Sequence, residues 1–169
     1  MTNFPTFIFF GTDEFSVAIL EELAQADCRP EFIVTTPGEP AVKIWAEKNK
    51  IPHNQPKDLR SDLKWCPRSD LGLVASYGKI IPKEILDLPT HGTLNIHPSL
   101  LPAYRGATPI QSAILHGLVE SGVSLMLLDP ELDHGPIIKA SSYQLVGTSF
   151  WEARKAMAKT LKGFCIVYL

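Results

Sequence analysis

The sequence has few cysteines, and none is spaced for a structural disulfide or a metal site. The 169 residues include three, Cys28, Cys66 and Cys165, an odd number at distant positions. Disulfide-rich secreted domains and zinc sites need cysteines in even numbers or at short, fixed spacings. We therefore expect reduced thiols, no metal, and a cytoplasmic protein.

The sequence also lacks the features that direct proteins to membranes or to nucleic acid in general. No apolar run approaches the roughly 20 residues of a membrane span, and residues 1–5 contain no basic region, which predicts no signal peptide. The net charge of −2 argues against general affinity for nucleic acid, so an RNA partner needs a local basic patch. No repeat or linker divides residues 1–169, and we expect one domain.

Three familiar ligand motifs are missing or incomplete. A dinucleotide fingerprint needs three glycines after its first strand, and only Gly11 is present here. No P-loop occurs. The run Asp129, Glu131 and Asp133 suggests a calcium loop, but its glycine comes one place too late and Ala140 replaces the closing glutamate. These observations exclude the common nucleotide and calcium sites.

What the sequence does contain is an alternation of strand and helix patterns. Short apolar runs predict strands at 6–10, 31–35, 71–76 and 93–97, and helical spacing predicts helices from 13 onward, at 41–49, 58–64 and 110–115. This rhythm is typical of a parallel, doubly wound sheet. The tail differs, with two adjacent strands at 123–128 and 136–143 and a last helix from Ser149 to about Gly163. Met126 and Trp151 are expected in the core.

Residues 94–106 organise the predicted site. Asn95 and His97 are two residues apart in a strand, so their side chains project from the same face, and Pro98 ends that strand. A carboxamide beside an imidazole suits a reaction in which negative charge develops on an oxygen. The simpler interpretation of these two residues alone is a surface asparagine and a histidine at a strand end. The apolar turn that follows, 99–102, favours a floor for a flat ligand.

The stretch Asn-x-His-Pro-Ser-Leu-Leu-Pro-x-x-Arg-Gly-x-x-Pro-Ile-Gln-x-Ala-Ile, which begins at Asn95, resembles the signature of the 10-formyltetrahydrofolate-dependent formyltransferases. The loop Leu132-Asp133-x-Gly135 resembles the one that carries the catalytic aspartate of that family. The resemblance covers about residues 7–143 and implies a Rossmann-like catalytic domain with a mostly parallel central sheet flanked by helices.

The resemblance also implies roles for particular residues. Asn95, His97 and Asp133 would be catalytic. The folate would lie on the 99–102 turn, with its pterin between the loops 77–81 and 129–133; the predicted contacts are Ser99, Leu100, Leu101, Pro102, Ile80 and Leu132. The acceptor would meet a wall whose predicted residues are Gly11, Thr12, Phe15 and Arg105. Position 13 is aspartate here, where the family usually has proline.

Within the family, the run Pro109-Ile110-Gln111 favours members whose acceptor is the α-amine of methionyl-tRNA. Amino-sugar formyltransferases, formyltetrahydrofolate hydrolases and an inactive folate-binding module are the alternatives. Members that act on tRNA carry a long basic loop where this sequence has only Gly38, Glu39 and Pro40 between Pro37 and Ala41. The smaller β-barrel domain of the family is also not in this sequence. Both departures predict weak discrimination for initiator tRNA.

Overall fold

A seven-stranded sheet runs through the protein, in a computed structural model that describes residues 4–60, 66–129, 131 and 133–160. The strands are β1 (Phe7–Gly11), β2 (Phe32–Val34), β3 (His53–Asn54), β4 (Leu71–Ala75), β5 (Thr93–His97), β6 (Glu120–Leu127) and β7 (Ile137–Gln144). Their order across the sheet is β3-β2-β1-β4-β5-β6-β7. The pairs from β3 to β5 are parallel, whereas β6 and β7 pair antiparallel. This arrangement confirms the mostly parallel sheet and the divergent tail.

Five helices accompany the strands in the described part of the chain. They are α1 (Glu14–Gln25), α2 (Ala41–Asn49), α3 (Lys83–Leu86), α4 (Pro109–Leu115) and α5 (Phe150–Thr160). Asp13 caps α1 by accepting from the backbone N–H groups of Phe15 and Ser16. At the start of α5, Ser149 and Glu152 form the predicted capping box, with Glu152 accepting from the Ser149 N–H and hydroxyl.

The sheet has two unlike faces because side chains alternate along each strand. Phe9 is paired in register with Ile33 and Leu73, and Leu73 with Leu94, and all four belong to the large core. That core includes residues of α1, α2, α4 and α5. We call this side the helix-packed face.

The opposite side holds a smaller apolar cluster that includes Phe10 and Val74. Val74 is paired in register with Asn95, so Asn95 and, two residues on, His97 belong to this side. We call it the site face. A single strand, β5, therefore supplies Leu94 and Ile96 to the main core and the two predicted catalytic side chains to the other face.

Some predictions were incomplete or wrong. The two-residue β3 and the four-residue α3 were missed because both are too short for a periodic pattern. Most of the predicted helix at 58–64 lies outside the described residues, as does the predicted end of the last helix beyond residue 160. Met126 is buried as expected, but Trp151 is 60% exposed, so its assignment to the core was wrong. None of the helices in the described ranges is long and apolar enough to cross a membrane.

Candidate active site

Asn95 and His97 lie on β5 with different surroundings. The His97 ring is buried, at 4% exposure, whereas Asn95 is half-buried. No residue in the described ranges forms a side-chain hydrogen bond with the Asn95 carboxamide. Because a half-buried amide keeps its donor for whatever approaches the site face, Asn95 is available to bind an oxygen of a ligand.

Both ring nitrogens of His97 face protein groups. Its Nε2 is 2.9 Å from the backbone oxygen of Tyr104. A carbonyl can only accept, so Nε2 carries a hydrogen and donates it to Tyr104. The Nδ1 atom is 3.6 Å from Asp133 Oδ1, an ion-pair distance that is too long for a hydrogen bond. The predicted pairing of His97 with an aspartate from another element is thus present as a close approach.

Asp133 is held in place from two sides. Its carboxylate is 8% exposed, and Oδ2 accepts a hydrogen bond of 2.8 Å from the backbone N–H of Gly106. The backbone of Asp133 has a φ of +47°, which is uncommon for a residue with a side chain. At Gly135, a Cβ atom would lie 1.9 Å from the Leu127 backbone oxygen, so the loop passes too close to β6 for any side chain there.

The apolar turn 99–102 is fixed by two serines. Ser99 is fully buried, and its hydroxyl donates to the Ala103 oxygen at 2.6 Å. The Ser124 hydroxyl on β6 donates to the Ser99 oxygen at 2.8 Å and accepts from the Leu101 N–H at 3.1 Å. The Ser99 side chain therefore shapes the turn from within. Ser124 can do this because it pairs in register with His97 across β5 and β6.

The other predicted folate residues offer apolar surface. Leu100 packs over Gly122, where a Cβ atom would lie 2.6 Å from the Leu100 Cδ2 atom. Leu101 is half-buried, Pro102 is exposed, and Ile80 is 91% exposed. An isoleucine this exposed, together with an apolar turn, fits a flat ring that covers part of this surface. Leu132 lies outside the described residues.

The predicted acceptor residues follow β1. Gly11 ends that strand, and a Cβ atom there would lie 2.5 Å from Phe9 and 2.8 Å from Ser16, so glycine lets α1 approach the sheet. The Thr12 hydroxyl donates to the Tyr77 oxygen at 2.8 Å and links this segment to the loop after β4. Phe15 is buried at the start of α1. Gly11 and Thr12 therefore support the wall, while Phe15 reaches a cavity.

That cavity, of about 70 Å³, lies where β1, β4 and β5 end. Phe15 lines it together with Asp13, Pro98, Phe150 and Arg154. Pro98 directly follows His97, so the cavity adjoins the strand that carries the predicted catalytic residues. A larger cavity, of about 390 Å³, lies between the end of α4 and the residues after β7, and none of the predicted site residues lines it.

Asp13 has a structural effect beyond capping α1. Its Oδ2 accepts a hydrogen bond of 2.5 Å from Arg154 on α5, and this pair lies at the edge of the cavity. The Arg154 guanidinium also lies 5.8 Å from the centre of the Phe15 ring and 5.2 Å from that of Phe150. The aspartate at position 13 thus ties α1 to α5.

The loop around Asp133 carries a second charged pair. His134 Nδ1 is 2.8 Å from Asp129 Oδ2. This hydrogen bond raises the pKa of His134 and lowers the pKa of Asp129. The positive charge of the exposed Arg105 adds to the lowering of the Asp129 pKa and opposes the rise of the His134 pKa. Within the described ranges, no group of three or more His, Cys, Asp or Glu side chains is arranged to hold a metal ion.

Sequence reasoning missed the residues that hold the predicted catalytic side chains. The Tyr104 carbonyl and the Gly106 N–H are backbone atoms, which have no sequence pattern of their own. Ser124 lay inside a predicted strand and had no visible partner. The sequence also contained no sign of two further histidine contacts: His134 pairs with Asp129, and His116 lies 3.1 Å from the Tyr104 hydroxyl.

Comparison with known sequences agrees with this geometry. The family model described as "Formyl transferase" matches residues 6–152. The chain is 40% identical over 147 residues to a methionyl-tRNA formyltransferase of Legionella pneumophila (strain Corby), covering 79% of this chain and 47% of that protein. It is 41% identical over 150 residues to the enzyme of the same name from Myxococcus xanthus (strain DK1622), with the same coverage of 79% and 47%. The chain thus spans about half the length of these curated relatives.

Solved structures show the same fold at lower identity. Glycinamide ribonucleotide transformylase 1 from Symbiobacterium toebii matches with a TM-score of 0.78 and 17% identity, covering 99% of this chain and 86% of that one. A formyltetrahydrofolate deformylase from Pseudomonas syringae pv. tomato matches with a TM-score of 0.73 and 20% identity, covering 95% and 60%. These likenesses confirm the predicted α/β fold.

Proposed function

Because the chain belongs to the formyl transferase family, we propose that it transfers a formyl group from 10-formyltetrahydrofolate to a primary amine. The acceptor is the α-amine of methionyl-tRNA, as the names of the relatives at 40–41% identity suggest. The reaction takes place in the cytoplasm.

The observation that carries the proposal is the Asn95 carboxamide, which has no hydrogen-bond partner among the described residues and lies on the same strand as the buried His97, next to Asp133. The folate supplies an electrophilic formyl carbon. As the acceptor amine bonds to that carbon, negative charge develops on the formyl oxygen, and Asn95 donates a hydrogen bond to it. A donor already in place stabilises this charge without the cost of reorganising water. The bond from the formyl carbon to the folate nitrogen then breaks, and a proton passes from the amine to that nitrogen.

The Nε2–H of His97 already donates to the Tyr104 carbonyl, so His97 can assist the reaction only if this hydrogen bond is exchanged. For His97 to donate to the formyl oxygen, that oxygen must replace the Tyr104 carbonyl on Nε2. Asp133 places a carboxylate oxygen 3.6 Å from Nδ1. It also keeps the ring oriented while Gly106 anchors the carboxylate itself.

The folate ring lies on the apolar surface of the 99–102 turn, against Leu101 and Pro102, with its pterin beside Ile80 of the 77–81 loop. Ile80 supports this placement because it is a large apolar side chain left almost entirely exposed. Leu100 and Ser99 act beneath the ring by fixing the turn on β6. The acceptor approaches past Phe15, at the cavity beside Pro98, and the exposed Arg105 lies near the acceptor's charged groups.

The experiment is a formylation assay with radiolabelled 10-formyltetrahydrofolate and three acceptors: methionyl-tRNA, a nucleotide-linked amino sugar and water. We expect formyl-methionyl-tRNA to form in the first reaction and the label to stay on folate in the others. The Asn95→Ala variant is the control for background transfer. Label on the amino sugar, or free formate in every reaction, would instead identify one of the two alternative enzymes. Folate binding without any transfer would make the chain an inactive binding module.

A further inference from the structure

Trp151 is an exposed aromatic residue that the core does not explain. It lies in the first turn of α5 and is 60% exposed. One side of the ring is supported by Phe150, whose ring centre is 5.1 Å away in an edge-on arrangement, and by the Arg154 guanidinium at 5.5 Å. The ring is therefore held in place by its neighbours while much of its surface faces solvent.

The same side of α5 carries two exposed lysines. Lys155 and Lys159 follow Trp151 at intervals of four residues, which places the three side chains along one stripe of the helix. The helix rise puts about 6 Å between successive members. Among the residues that the structure describes, neither lysine has an ion-pair partner. The opposite side of α5, with Ala153, Met157 and Ala158, is buried.

Glu152 is the exposed acidic residue beside this stripe. Its carboxylate is already engaged by the N–H and hydroxyl of Ser149, at 2.8 and 2.7 Å. The stripe therefore presents one flat aromatic ring followed by two ammonium groups that no acidic side chain in the described ranges neutralises. Bases stack on aromatic rings and phosphates attract cations, so this pattern suits single-stranded nucleic acid better than an apolar partner.

The stripe begins beside the candidate active site. Phe150 and Arg154, which support the Trp151 ring, line the same cavity as Pro98, the residue after the catalytic His97. An amino acid attached to tRNA is joined directly to the terminal nucleotide. A nucleotide bound next to this cavity is therefore in the right neighbourhood to deliver its amino acid to His97 and Asn95.

We propose that Trp151, Lys155 and Lys159 bind the single-stranded 3′ end of the acceptor RNA, with a base stacked on Trp151 and backbone phosphates near the two lysines. The choice of RNA rests on the proposed function. The stripe supplies the local basic patch that a chain with a net charge of −2 needs in order to bind RNA. Since neither stacking nor phosphate contact reads sequence, such a surface binds acceptor ends without selecting the initiator.

The test measures binding alone, so it does not depend on turnover. Two fluorescently labelled RNA hairpins are titrated with the protein from 50 to 200 mM salt, one with a four-nucleotide 3′ overhang and one with a blunt end. We expect tighter binding to the overhang. Trp151→Ala should weaken that binding about tenfold, and Trp151→Phe should restore most of it because a ring remains.

The lysines are tested by the salt dependence. Removing two phosphate contacts to a single strand should lower the slope of log K against log salt by about 1.4, which we expect for Lys155→Ala with Lys159→Ala. The matched control is Arg29→Ala with Lys48→Ala. These two exposed residues also carry two positive charges but precede β2 and β3, so they lie at the amino ends of the strands. The control should leave the slope unchanged.

The inference is overturned if Trp151→Ala binds the overhang as tightly as the wild type, or if the control lowers the salt slope as much as the two α5 changes. It is also overturned if the wild type self-associates and Trp151→Ala abolishes that association, since the stripe is then an interface between copies. The overhang-specific pattern in a protein that formylates no tRNA would support the surface while refuting the proposed activity. If Trp151→Ala formylates methionyl-tRNA with an unchanged KM, the proposed activity is supported and the proposed RNA-binding surface is refuted.

Discussion

The two faces of the sheet share the same backbone but carry side chains of opposite character. On the helix-packed face, Phe9, Leu73 and Leu94 are buried beneath helices, and the interaction there is shape-filling contact. On the site face, β5 presents Asn95, whose carboxamide has no partner in the described part of the chain, and His97, whose ring nitrogens face the Tyr104 carbonyl and the Asp133 carboxylate. Because successive side chains of a strand point to opposite faces, β5 directs core residues to one face and the predicted catalytic residues to the other. Changes on the two faces should therefore have different consequences.

The largest expected effect is on stability, from the helix-packed face. Phe9 has no exposed surface, and Phe9→Ala should lower the free energy of unfolding by about 3–5 kcal/mol, because a cavity replaces a fully packed ring. Urea denaturation of the wild type and the variant measures the change. A loss below about 1 kcal/mol would mean that the two faces contribute alike to the core.

The next largest effect is expected on the rate of formyl transfer, from substitutions on the site face. Asn95→Ala should reduce the rate of formyl transfer by about 10²–10³, since one donor to the developing oxyanion is lost. His97→Ala should cost at least as much. Combining the two should cost less than the product of the single effects, because both residues act on one transition state. The melting temperature of Asn95→Ala should stay close to that of the wild type, and a large fall would assign Asn95 to the fold instead.

Asp133→Asn separates charge from shape on the site face. The amide keeps the size of the carboxylate and can still accept from the Gly106 N–H, but the negative charge near His97 Nδ1 is gone. We expect a slower reaction with an altered pH–rate profile and nearly unchanged folate affinity. If both rate and profile are intact, Asp129 or Glu131 becomes the residue to test.

A smaller effect is expected from the 99–102 turn. Leu101→Asp should weaken folate binding about tenfold, because the ring would remove water from a carboxylate without replacing its hydrogen bonds. Leu115→Asp is the matched control, since Leu115 is 83% exposed at the end of α4 and outside the predicted folate surface. Equal folate affinity in both variants, measured by calorimetry, contradicts the placement of the ring.

The smallest effect concerns acid stability at an edge shared by both faces. Hydrogen bonds from the Thr6 N–H and hydroxyl, at 2.8 and 2.9 Å, lower the pKa of Asp70 and join the starts of β1 and β4. A lowered carboxyl pKa stabilises the fold above the ordinary value of about 4 and loses this contribution as pH falls through the folded value. Melting temperatures from pH 6 to pH 3 should therefore fall less for Asp70→Asn than for the wild type. Parallel curves would show that the clamp does not depend on charge.

The sequence predicted the strands and helices whose patterns repeat, and it placed the predicted site side chains of β5 on one face. Alternating apolar runs were enough for the main strands, and the spacing of Asn95 and His97 was enough to place both on one face. The reach of Asp133 to His97 depended on resemblance, since no local pattern reports a contact between residues 36 positions apart. The backbone atoms of Tyr104 and Gly106 could not be predicted, because any residue type can supply them. The prediction that Trp151 lies in the core was wrong because an aromatic residue in a helix can lie on its buried or on its exposed side.

Gly135 limits how far the loop around Asp133 can vary. The space for its side chain is already filled by the backbone oxygen of Leu127, an atom that no substitution at position 127 can remove. Any larger residue at 135 must push the loop away from β6, and Asp133 is only two residues away. Neighbouring positions such as Glu131, whose side chain is exposed, have no comparable restriction. In a library that randomises this loop and selects for folded protein, position 135 should therefore remain glycine while position 131 accepts many residue types. An invariant position 135 would then report the close backbone contact and not a role in the reaction.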